Sequence, residues 1–150
     1  MDVRAYPASR RHPQFAREAL EHSLLEAGVR YVWEGKALGG RRRPVKDSSH
    51  IALRNESFRA YADHMMTGEF RQALDRLIEL GRPVCTAIMC AERLPWECHR
   101  YLISDSLVAR GMGVRHLIDQ QPPKAHTLNP IARVDGAALV YNGSSQLPLV

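Results

Sequence analysis

Pro83-Val84-Cys85-Thr86-Ala87-Ile88-Met89-Cys90 is the stretch on which the fold turns. After the proline it carries no charge and no polar alternation, as a strand buried on both faces requires. Such a strand belongs to a parallel sheet covered by helices. Upstream, Thr67 caps a helix whose Phe70, Leu74, Leu77 and Ile78 form one stripe before Gly81 ends it. Phe58, Tyr61, Ala62 and Met65 mark the helix before that one. Downstream, a loop containing Pro95 leads to a helix from about Cys98 to Arg110, and Val114 to Ile118 reads as another short strand.

The outer segments extend the same alternation. Met1 to Ala5 reads as a strand end, cut off by Pro7. Pro13 opens a helix running to Ala27, Gly28 stops it, and Val29, Tyr31 and Trp33 alternate as a strand would. A long basic loop follows from Glu34 to Asn55, and Asp135-Gly136 marks a hairpin between Ile131–Val134 and Ala137–Tyr141. The expected fold is one α/β domain over 1–150: a mainly parallel sheet, helices on both faces, and a C-terminal β-hairpin.

Composition narrows the function classes. The chain has 150 residues, 45% apolar and 25% charged, which excludes a disordered, collagen-like or disulfide-scaffold protein. Its net charge is +5, and the surplus is local. Residues 1–46 hold ten Lys/Arg against five Asp/Glu, while the remainder is balanced. Arg41, Arg42, Arg43 and Lys46 form the densest run. A local basic patch suits phosphate or nucleic acid, or else a solvated loop. Three cysteines, with no leader sequence and no apolar run of membrane-spanning length, point to thiols in a reducing cytoplasm and to no membrane partner. Asn142-Gly143-Ser144 matches a glycosylation sequon that carries no meaning without secretion.

In open α/β sheets, ligands bind beyond the carboxyl ends of the strands. That rule selects Arg4–Arg10, Glu34–Arg43 and Cys90–Arg100. In the last of these, Cys98 stands near a helix N-terminus, which favours a thiolate. Glu92 or His99 would move protons, Cys90 would be a second nucleophile or polar lining, and Arg100 would hold an anion. The plain alternative is that both cysteines are small buried residues. Arg4, Ser9, Arg10 and Arg41 are further anion-binding candidates, with Gly39 and Gly40 exposing backbone N–H groups. A turn-capping serine and a mobile glycine loop are the plainer readings of Ser9 and the glycines. Cys90, Cys98 and His99, with His116 as a fourth, are the rival metal ligands. Their spacing is not that of a zinc knuckle, and adjacent Cys98 and His99 would diverge by about 100° on a helix. No metal or other cofactor is therefore expected. Walker, dinucleotide and nucleophile-elbow motifs are missing. His12, His22, His50, His64 and His126 read as surface residues.

Asp2-Val3-Arg4, Pro7-Ala8-Ser9-Arg10, Phe15, Leu38-Gly39-Gly40-Arg41, Cys90-Ala91-Glu92 and Cys98-His99-Arg100, with His116 beyond, occur in this order. In this the chain resembles the DUF488 family of domains of unknown function, from residue 2 to about 141. The resemblance implies a cytoplasmic α/β domain of prokaryotic type with an active site built from these motifs. It implies no reaction. It also implies an earlier strand with a Thr-Ile-Gly-His-Ser-like segment and a helix, a β–α unit expected to be missing here. The edge this would leave open is one that a homodimer would cover.

The leading expectation is an enzyme acting on a nucleotide, nucleic acid or other phosphate-bearing substrate. Alternatives are a non-catalytic nucleic-acid-binding module using the basic loop, and a metal-binding domain through Cys90, Cys98 and His99.

Overall fold

A computed structural model describes residues 1–143; Ser144 of the sequon lies outside them. Five helices appear in order: α1 (Arg17–Glu26), α2 (Gly35–Leu38), α3 (Glu56–Met65), α4 (Gly68–Gly81) and α5 (Arg100–Ala109). Four short strands follow: β1 (Arg115–His116), β2 (Lys124–Ala125), β3 (Ala132–Asp135) and β4 (Ala138–Tyr141). None of these helices is long and apolar enough to cross a membrane.

The helices form where local chemistry allows. Asn55 caps α3 by accepting hydrogen bonds from the Ser57 and Phe58 N–H groups at 2.9 and 3.2 Å. Thr67 does the same for α4 through Phe70. Pro13 opens a single 3-10 turn, and α1 begins only after Ala16, whose backbone is extended. Helices α3, α4 and α5 pack with β4 around a core that includes Tyr61, Phe70, Leu74, Leu102, Ile103 and Tyr141.

The expected parallel sheet is not formed. The described sheets are two antiparallel pairs, β1–β2 and β3–β4. Only the C-terminal hairpin stands as expected, with Ala132 opposite Tyr141 and Gly136 in the left-handed region at its turn. The segments expected as parallel neighbours meet at two isolated bridges, where Asp2 stands opposite both Trp33 and Met89. Hydrogen bonds tie this junction: Asp2 N–H to Val32 O, Glu34 N–H to Asp2 O, Val3 N–H to Met89 O, and Met89 N–H to Met1 O, all 2.8–3.0 Å.

The physical reason lies at the other edge of the deciding stretch. No strand pairs with that edge among the described residues. A cavity of about 790 Å³ instead separates 85–88 from 112–117. Val84 is 59% exposed and Leu117 70% exposed, so the run expected to be buried on both faces is open on one side. Val114 to Ile118 contributes only Arg115 and His116 to a strand, and these turn to pair antiparallel with Lys124 and Ala125.

Candidate functional site

The junction at Asp2 places the chemistry. Met89 is bridged to Asp2, so Cys90 leaves the sheet fragment beside Arg4. The chain then loops through Glu92, makes a 3-10 turn at Pro95–Glu97, and reaches Cys98 in extended conformation (φ −131°, ψ 147°). His99 turns helical (φ −56°, ψ −17°) as the cap of α5. This change of backbone conformation between neighbours lets both side chains face the same point. The expected divergence assumed that both were helical.

Four donor atoms converge there. The Cys90 and Cys98 Sγ, a Glu92 carboxylate oxygen and the His99 Nδ1 all lie within 4.8 Å of one another. Cys90 donates to Glu92 Oε2 at 2.8 Å, and Cys98 Sγ lies 3.3 Å from the same oxygen. His99 Nδ1 is 3.5 Å from Cys98 Sγ and 4.0 Å from Cys90 Sγ. Arg100 brackets Cys98 with two donors, its Nε at 3.3 Å and its backbone N–H at 3.5 Å, and its guanidinium also bonds the Glu92 carbonyl. The neighbouring Cys90 thiol, then His99 and the Arg100 N–H, pull the Cys98 thiol below its ordinary value against the opposing effect of burial. The same pairing, with burial and Glu92, pushes the Cys90 thiol up.

His99 is clamped on several sides. Its Nε2 faces the Val3 carbonyl at 3.3 Å, an acceptor that calls for a proton on Nε2. Tyr61 packs against the ring at 5.0 Å between centroids, and its hydroxyl donates to Leu38 O. Gly40 closes another side: a Cβ there would lie 2.5 Å from Nδ1. Gly39 is just as confined, since its Cβ would lie 2.2 Å from Gly35 O. Close packing accounts for these two glycines.

The cluster forms part of the wall of a cleft of about 350 Å³, whose lining also includes Tyr6, Gly40, Arg41, Asn55 and Ser57. The Arg41 guanidinium lies over the Tyr6 ring, 5.5 Å from its centroid. The other cationic candidates are placed differently. Arg4 is buried, with Nε and Nη2 on Asp2 and Nη1 on Phe15 O. Tyr31 donates to the same Asp2 carboxylate at 2.7 Å. Burial pushes Asp2 up, but the hydrogen bonds from Arg4 and Tyr31 prevail and hold it below its ordinary value. Arg42 bonds the Gly39 and Lys36 carbonyls. Ser9 accepts from the His12 N–H and caps a turn, and Arg10 is exposed away from the cleft lining.

Three histidines expected at the surface are buried. His64 bonds Ala37 O at 2.7 Å, His50 accepts from the Tyr141 N–H, and His126 bonds Asp105 at 2.9 Å. His116, the expected fourth metal ligand, lies 2.8 Å from His126 and outside the donor cluster. His64 follows Tyr61 by three positions on α3, so helical spacing placed it on the buried face; nothing comparable marked His126.

No curated protein and no solved structure matches the chain. A family model described as "Domain of unknown function DUF488" matches residues 1–107, which include the Asp2 junction and all four donors. The chain belongs to the DUF488 family.

Proposed function

We propose that the cleft is the active site of an enzyme whose nucleophile is the Cys98 thiolate and whose substrate carries a phosphate or similar anionic group. The observation that supports this most is the bracketing of Cys98 Sγ by two Arg100 N–H donors beside a cleft whose wall includes Arg41. Hydrogen bonds to a sulfur stabilise its anionic form, and an arginine at the wall attracts the anion that the substrate carries.

In the first step Sγ bonds to the electrophilic atom of the substrate as the bond to the leaving group breaks. The leaving group takes the proton that Cys90 shares with Glu92. Water then attacks the covalent adduct, its hydroxide joins the substrate, its proton returns to Cys90 and Glu92, and Cys98 departs as thiolate.

Labelling with two small electrophiles tests the reading on chelator-treated protein. Cys98 reacts faster with anionic iodoacetate than with neutral iodoacetamide, relative to N-acetylcysteine, and inorganic phosphate slows it. Labelling confined to Cys85 or Cys90, or no preference for the anion, overturns it.

A further inference from the structure

We infer that the same four side chains bind a zinc-class divalent cation, and that this state slows Cys98 as a nucleophile. The binding argument stands on the donor geometry alone; its consequence for Cys98 rests on the function proposed above. Tetrahedral zinc with two sulfur and two nitrogen or oxygen ligands sets donor–donor separations of roughly 3.3–3.8 Å. Around Cys98 the observed separations are 3.3 Å to Glu92 and 3.5 Å to His99; around Cys90 they are 2.8 and 4.0 Å. The four atoms all lie within 4.8 Å of one another, so side-chain rotations that move them by about an ångström convert the set to a coordination shell.

His99 is already oriented as a ligand. A metal-bound imidazole commonly donates its far N–H to a carbonyl or carboxylate, which fixes ring and tautomer. Here the Val3 carbonyl receives Nε2 while Nδ1 faces both sulfurs. The Gly40 backbone and the Tyr61 ring prevent the imidazole from turning away.

Charge balance agrees. Two thiolates and a carboxylate carry three negative charges, a divalent cation neutralises two, and the Arg100 guanidinium beside Cys98 offsets the third. On binding, the Cys90 S–H bond breaks, its proton passes to solvent and the sulfur joins the metal. Sulfur and imidazole donors select zinc over magnesium or calcium. With one of its lone pairs on the metal, Cys98 attacks an electrophile more slowly.

Cobalt(II) titration of the reduced, chelator-stripped chain tests binding. One equivalent yields the thiolate-to-cobalt charge-transfer band and intense tetrahedral d–d bands, zinc abolishes both, and C90S and E92Q each weaken binding at least tenfold. Missing bands at one equivalent, or bands unchanged in both variants, overturn the inference. Iodoacetate labelling separates the two readings. If Cys98 is labelled in chelator and equally fast with one equivalent of zinc, masking is wrong while the nucleophile stands. If Cys98 stays unlabelled in chelator yet the cobalt bands form, the nucleophile is wrong and the metal site stands.

Discussion

Replacing Asp2 by asparagine tests how the fold carries the site. Asp2 is fully buried, and its carboxylate takes the Arg4 Nε at 2.9 and 3.1 Å, the Arg4 Nη2 at 2.5 Å and the Tyr31 hydroxyl at 2.7 Å. Asparagine preserves the size and removes the charge, which leaves Arg4 as a buried cation without its counter-ion. Breaking one side of a buried pair costs about 3–5 kcal/mol. With a urea m value of roughly 2 kcal/mol/M, the unfolding midpoint falls by about 1.5–2.5 M. Urea titration followed by tryptophan fluorescence reads this directly, because Trp33 donates its indole N–H to the Arg4 carbonyl.

The pH dependence has a definite sign. The Asp2 carboxyl titrates lower in the folded chain than its ordinary 3.8. Its stabilisation is therefore complete above that value and is lost as pH falls through the lower folded value. The gap between wild type and D2N is constant near neutrality and narrows only below about pH 4. A loss under 1 kcal/mol at neutral pH, or a gap that widens in acid, refutes the argument that Asp2 anchors Arg4 through its charge.

Three further substitutions examine the site and the core. Gly40→Ala forces a methyl group against His99 Nδ1 and costs about 1–3 kcal/mol by overpacking, read by thermal unfolding, with cobalt binding reduced alongside. Arg41→Ala removes the guanidinium over Tyr6 and lowers the iodoacetate preference of Cys98 about five- to tenfold with little change in stability, since Arg41 is exposed. Tyr141→Phe removes the hydroxyl that donates to Asp105 at 2.9 Å in the core and costs about 1–3 kcal/mol, measured by denaturant titration.

The grouping of the Cys90–Arg100 loop was legible because its residues are close in sequence and placed by strong local signals. Cys90 follows an apolar run, Pro95 starts a turn, and Arg100 opens a helix, so the grouping of Cys90, Glu92, Cys98, His99 and Arg100 needs few long-range contacts. The convergence of Cys98 and His99 was not legible, since Cys98 is extended. The parallel sheet was not legible because burial of Val84–Met89 depends on neighbours at both edges. A run of apolar residues states only that it can be buried; the chain supplies a neighbour at one edge, through Met1 and Val3. Arg4 read as an anion clamp because charge was counted and not paired. Its partner was nevertheless in view: residues two apart on an extended segment share a face, which puts Asp2 beside Arg4. Arg42 shows the limit of that reasoning, since its carbonyl partners at Lys36 and Gly39 depend on how the loop closes.

The tripeptide Asp2-Val3-Arg4 joins stability to chemistry through three different groups. The Asp2 backbone bonds Val32 and Glu34, the Val3 side chain is buried in the core while its N–H bonds Met89 O, and the Val3 carbonyl meets His99 Nε2. The Arg4 carbonyl receives Trp33 and is approached so closely by Gly35 that a Cβ there would lie 1.9 Å from it. A displacement of this segment therefore reaches the donor cluster without any side chain of the cluster being altered. Among the described residues Cys98 has no hydrogen bond to the tripeptide; it is reached through His99, and through Met89 and then Cys90, which shares Glu92 with it. It follows that D2N weakens cobalt binding through misplacement of His99, while the Arg100 bonds to Cys98 remain. A carbonyl cannot be removed by ordinary substitution, so the Val3–His99 link is open to test chiefly through its supports, and Asp2 is the one whose side chain holds Arg4 and Tyr31 while its backbone bonds the 32–34 segment.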